Sequence, residues 1–67
     1  MRTHAEIVRE AGPAEVARAR NVSINTVRSW IQRDSIPAEH WAGFALEGKA
    51  TLHELALAAA AKVRVAA

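Results

Sequence analysis

The sequence predicts an all-α fold, a compact bundle of about five short helices with two of them joined by a tight turn at its centre. Three observations point there. Helix start and stop signals follow one another at close spacing. The apolar residues between them recur at i, i+3 and i+4. Alanine, the best helix former, makes up much of the 51% hydrophobic content.

The elements follow in order. Thr3-His4-Ala5-Glu6 matches a capping box, in which Thr3 and Glu6 satisfy each other's free amides, and Ile7, Val8 and Ala11 follow as an apolar stripe. Gly12 suits the left-handed position after that helix, and Pro13 the first turn of the next. The second helix runs to about Arg20, with Val16 and Ala17 facing inward. Asn21 tolerates positive φ better than other non-glycines, so it takes the turn, and Val22 plugs that turn into the core. Ser23 is a good N-cap for a third helix from about Ile24 to Arg33.

Asp34-Ser35-Ile36-Pro37 breaks the third helix, because the residue before a proline avoids the α region. Pro37 can open a fourth helix, with Glu39 in its positive first turn and Trp41, Phe44 and Ala45 as its buried stripe. Gly48 ends it. Thr51-Leu52-His53-Glu54 is a second capping box, opening a fifth helix with Leu52, Leu55 and Ala59 on one side. Lys62-Val63-Arg64-Val65 reads equally as an extension of that helix or as a short strand. The bundle therefore spans residues 1–61, and residues 62–67 form a tail.

Sixty-seven residues make one small domain, which buries only roughly 60% of its unfolded surface, so stability depends on close packing or association. With no cysteine, disulfides and thiolate zinc sites are excluded, and His4, His40 and His53 lack metal-ligand spacing. These histidines sit near helix starts and are expected to be exposed. No apolar run is long enough for a membrane span, and no basic-then-apolar leader opens the chain, so a cytoplasmic protein is expected. Nucleophile–base pairs, paired carboxylates and phosphate-cradling glycine loops are missing from the pattern, so neither an enzyme nor a cofactor is expected.

The net charge of +2 says less than its distribution. Arg18, Arg20, Arg28 and Arg33 carry the stretch 18–33 without an acid. Residues 34–61 hold Asp34, Glu39, Glu47 and Glu54 against Lys49. A basic end and a mildly acidic end would orient the molecule on a polyanion. The third helix is also divided by chemistry. Val27, Trp30 and Ile31 share one face; Asn25, Arg28, Ser29 and Gln32 share the other, with one cation, two carboxamides, a hydroxyl and no carboxylate. Such groups can pair with purine edges in a major groove or reach phosphates. Trp30 and Trp41 lie in apolar stripes, which favours core packing over a stacking platform.

The run with Ala17, Val22, Ser23, Thr26, Val27 and Trp30 resembles the helix-turn-helix of the lambda-repressor/Cro-like family, whose pattern is A-x-x-x-G-V-S-x-x-T-V-x-x-W. The continuation from Trp30 through Arg33 to Ile36-Pro37 is similar to that of Cro/YdaS-type phage and prophage regulators. The resemblance covers about residues 3–56. Asn21 departs from the usual turn glycine at a cost on the order of 1 kcal/mol. Arg20 departs from the usual packed leucine, so this edge of the second helix is expected to be solvated.

Carried over by position, the resemblance implies that Ser23, Ile24, Asn25, Arg28 and Ser29 reach base edges, with Arg28 the main specificity determinant. It implies phosphate contacts from Arg20, Thr26, Gln32 and Arg33, with Arg18 and Arg2 ranked lower. The expected function is a sequence-specific regulator of transcription, most often a repressor, binding double-stranded DNA as a homodimer on an inverted repeat. Leu57, Val63 and Val65 are left over for the dimer contact. Two alternatives stand beside this: an excisionase-type DNA architectural factor, which needs a two-stranded wing after Pro37, and an adaptor or antitoxin-like factor that binds protein.

Overall fold

A computed structural model describes residues 2–66, and the side chains of residues 2–62. Among the described residues five α-helices follow in order: α1 His4–Ala11, α2 Pro13–Arg20, α3 Ile24–Arg33, α4 Trp41–Leu46 and α5 Leu52–Ala66, with a 3-10 turn at Ala38–His40. The all-α class and the helix count agree with the sequence, and the fifth helix continues in backbone through residues 62–65 rather than changing to a strand. The side chains of Val63, Arg64 and Val65 lie outside the described residues, so of the expected dimer contact only Leu57 is described. It is 42% exposed. No helix is long and apolar enough to cross a membrane among the described residues.

Local chemistry sets the first three helices. The capping box forms, the Glu6 amide donating to the Thr3 hydroxyl at 3.2 Å and the Thr3 amide to the Glu6 carboxylate at 2.7 Å. Gly12 adopts φ 95°, ψ 114°, a region that side chains disfavour, and so turns the chain directly from α1 into α2. Asn21 takes the left-handed conformation at φ 56°, ψ 46°, and Val22 donates to the Ala17 carbonyl at 3.0 Å while packing on the core. This closes α2 onto α3 within three residues.

The core gathers Ile7, Val8, Val16, Val27, Phe44 and Leu55, all fully buried, with Ile36 and Trp30 beside them. Each such side chain contributes about 1.5–3 kcal/mol by leaving water. α3 packs on α1 and α2, α4 on α5, and α5 returns to α1. Trp41 is half-buried and donates its indole N–H to the Ile36 carbonyl at 2.8 Å, so both tryptophans belong to the packing.

Besides this Trp41 bond to Ile36, the segment after α3 is fastened at three further points. Asp34 ends the helix in the left-handed region (φ 55°), and its carboxylate accepts the Ala5 amide at 2.8 Å. His4 accepts the Ile36 amide at Nδ1, 2.9 Å away, and its Nε2 lies 2.8 Å from the Leu55 carbonyl. Lys62 donates to the carbonyls of Arg33 and Asp34 at 3.0 and 2.7 Å.

Several expectations are corrected. His4 is buried, at 2% exposure, because it bridges two backbone groups, and His40 is half-buried against Trp30; only His53 is exposed. The fourth helix begins with a 3-10 turn after Pro37 rather than as an α-helix. The second capping box is half-made: Thr51 accepts the Glu54 amide at 3.0 Å, but the Glu54 carboxylate is taken by Arg2. The inward face of α5 is Leu55 and Ala58, leaving Leu52 52% exposed and Ala59 half-buried. Residues 38–46, where an excisionase-type wing would run, are helical.

Candidate nucleic-acid interface

α3 is the element that displays most of the sequence-predicted residues. Ser23 stands before it in extended conformation, and its hydroxyl accepts the Thr26 amide at 3.1 Å and lies 2.9 Å from the Thr26 hydroxyl. That cap fixes the first turn and ties two of the predicted contact residues to each other. Val27 and Trp30 are buried against the neighbouring helices, which turns Asn25, Arg28 and Gln32 outward into solvent. Ser29 is half-exposed in the same row. Ile24, predicted to meet a base, is instead half-buried and packs on the core, so it offers only part of its surface.

The cations divide into two groups. Arg28 and Arg33 are exposed and have no carboxylate within ion-pair distance among the described residues. Arg18 and Arg20 are engaged. Arg18 grips Glu15 through Nε and Nη2 at 2.9 and 2.7 Å; with three-quarters of the side chain exposed, this pair contributes about 0–1 kcal/mol and yields to a stronger anion.

Arg20 corrects the sequence reading. Its side chain is 23% exposed and pairs with Glu47 at 3.2 Å, and Lys49 shares that carboxylate at 2.6 Å. The guanidinium fills the space above Gly43, where an added Cβ would sit 1.4 Å from Nη1. Its Nε is buried without a hydrogen-bond partner among the described residues. This edge of α2 is therefore covered, and the basic stretch 18–33 is narrower in space than in sequence. Arg2 is likewise committed, to Glu54 and Glu10. The Arg2 hydrogen bond holds the Glu54 carboxyl below its usual range, and the Lys49 hydrogen bond does the same for Glu47.

Four predicted residues, Asn25, Thr26, Ser29 and Arg33, meet along one depression of about 430 Å³ between α3 and the segment that follows it. Trp30, Ser35 and Pro37 complete its lining. None of these three stands out in the sequence as a contact residue: the apolar stripe puts Trp30 in the core, where it is 5% exposed, and Ser35 and Pro37 read only as the end of one helix and the opening of the next. Arg28 and Gln32 lie outside the depression, as do Ser23 and Ile24. No cluster of His, Asp and Glu able to hold a metal occurs among the described residues.

No protein-family model matches the chain, and no curated protein or solved structure matches it either.

Proposed function

We propose that the chain is a sequence-specific double-stranded DNA-binding regulator of transcription, of the phage or prophage repressor type, that inserts α3 into the major groove as a homodimer. One observation carries the reading: the outer row of α3 holds Asn25, Arg28, Ser29 and Gln32 and no acid, on a helix whose opposite side is locked into the core. A guanidinium and carboxamides on a rigid helix match the donor–acceptor pattern of guanine and adenine edges. The exposed guanidinium of Arg33 supplies backbone attraction. One such helix reads few base pairs, and a two-fold pair of subunits on half-sites about one helical turn apart multiplies its selectivity.

A protein-binding adaptor is the second reading, and the pairing of Arg18 and Arg20 with Glu15 and Glu47 favours it by reducing the free positive charge. Selection of binding sites from random duplex DNA decides between them. An enriched inverted repeat, bound with an affinity that falls linearly in log salt, is the outcome expected of the regulator. No enrichment at low salt would overturn it in favour of the adaptor.

A further inference from the structure

The depression beside α3 has a composition that outer-face base reading does not require. Arg33 stands at it with a guanidinium free of any carboxylate among the described residues, and Thr26, Ser29 and Ser35 bring three hydroxyls to the same space. Pro37, half-buried, and the small edge of Trp30 that the core leaves open (5% exposed) supply an apolar wall, and His40 backs the Trp30 ring at a centroid distance of 4.8 Å. A guanidinium with hydroxyls is a receptor for phosphate oxygens, and an adjoining apolar surface suits a sugar ring.

One obstacle would be the C-terminal end of α3, whose free carbonyls repel an anion. Lys62 removes it. The ammonium is bound to the carbonyls of Arg33 and Asp34, so it caps the negative end of the helix next to the depression. The Asp34 carboxylate is turned to the Ala5 amide, where it is held by a 2.8 Å hydrogen bond.

We propose that this depression binds one sugar-phosphate unit, with Arg33, Ser29 and Ser35 on the phosphate and Trp30 and Pro37 against the sugar. Two sources carry that chemistry, a nucleotide unit of a DNA strand and a free nucleotide. The strand source rests on the DNA-binding reading above; the free-nucleotide source does not. A free nucleotide here would cover Asn25 and Ser29 and so compete with a duplex for α3.

Two measurements on the full chain test it. In the first, a selected duplex carries single neutral methylphosphonate linkages at successive positions, and binding is compared between the wild type, Arg33→Gln and Ser35→Ala. In the second, deoxyadenosine monophosphate is titrated while amide and indole signals are followed by NMR. If the unit belongs to a strand, one linkage per half-site costs the wild type about 10-fold in affinity, and each variant loses less at that linkage than the wild type does. If it is free, the nucleotide shifts the Ser35 amide and Trp30 indole signals, and Arg33→Gln abolishes the shifts. A duplex bound with ordinary salt dependence, with no linkage coupled to either variant and no nucleotide shifts, overturns this inference and leaves the regulator standing. Nucleotide shifts without duplex binding overturn the regulator and leave the inference.

Discussion

His4 and Ile36, far apart in sequence, are joined by a buried hydrogen bond in which the imidazole Nδ1 accepts the Ile36 amide at 2.9 Å. The acceptor role leaves Nε2 as the protonated nitrogen, and it donates to the Leu55 carbonyl at 2.8 Å. One ring thereby connects the start of α1, the segment after α3 and the first turn of α5. It also positions the wall of the depression, since Ser35 and Pro37 flank the bonded amide.

His4→Phe keeps a flat aromatic ring, slightly larger than the imidazole, and removes both hydrogen bonds. A buried amide left without a partner costs about 1–3 kcal/mol. In a domain of this size that corresponds to a fall in Tm of about 4–8 °C per kcal/mol. Thermal unfolding followed by circular dichroism checks it; an unchanged midpoint would show that the bridge contributes nothing.

The paired carboxylates set the behaviour in acid. Glu54 lies below its usual value of 4.5 chiefly through the Arg2 hydrogen bond, and Glu47 chiefly through that of Lys49. With folded values depressed, the unfolded chain takes up protons first, so the pairs stabilise the fold above about 4.5 and the contribution is lost as pH falls through the folded values. Stability should therefore be level near neutrality and drop below that value. Glu54→Gln should lower it near neutrality and shrink the acid drop, which denaturant titrations at several pH values would measure.

What was legible in the sequence was what local chemistry determines. Thr3 with Glu6, Asn21 and Ser23 each act within a few residues of themselves, and each does in the structure what its type and spacing imply; Gly12 supplies the positive φ expected of it, but at ψ 114° rather than in the left-handed helical region. The outward row of α3 was legible for the same reason, because Val27 and Trp30 fix which side is buried. The failures are contacts between distant segments. His4 meets Leu55 across 51 positions, Glu54 leaves its own cap for Arg2 across 52, and Arg20 meets Glu47 on the far side of α3 in sequence. Charge counted along the chain could not register that last pairing. The glycine inside α4 was its one local sign, a missing side chain where Arg20 needed room.

Gly43→Ala uses that relationship. The new Cβ would collide with the Arg20 guanidinium, which is the movable end of a long side chain and would swing into solvent. Leaving Glu47 breaks a pair only about a quarter exposed and so costs about 1 kcal/mol, the upper end for a surface pair, and alanine for glycine inside a helix offsets roughly 1 kcal/mol of that. Stability should change by less than about 1 kcal/mol, and the Arg20 Nε proton, now buried, should exchange rapidly with water. If the released guanidinium takes a phosphate, the salt dependence of duplex binding steepens by about 0.9 in slope. Slow Nε exchange in the variant would mean that Arg20 had stayed in place.

Arg28→Ala separates reading from holding. Arg28 is exposed on the outer row of α3 and has no side-chain partner among the described residues, so its removal leaves the fold unchanged. Lost bidentate contact with a guanine should cost about 1–3 kcal/mol on the selected site and relax preference at one position of each half-site. Arg33→Ala should instead weaken all duplexes alike and reduce the salt slope by about 0.9. The two variants, measured on selected and scrambled duplexes at several salt concentrations, should thus fail in different ways. Identical losses on every sequence for both would remove Arg28 from the reading face and leave α3 as a general anchor on the phosphate backbone.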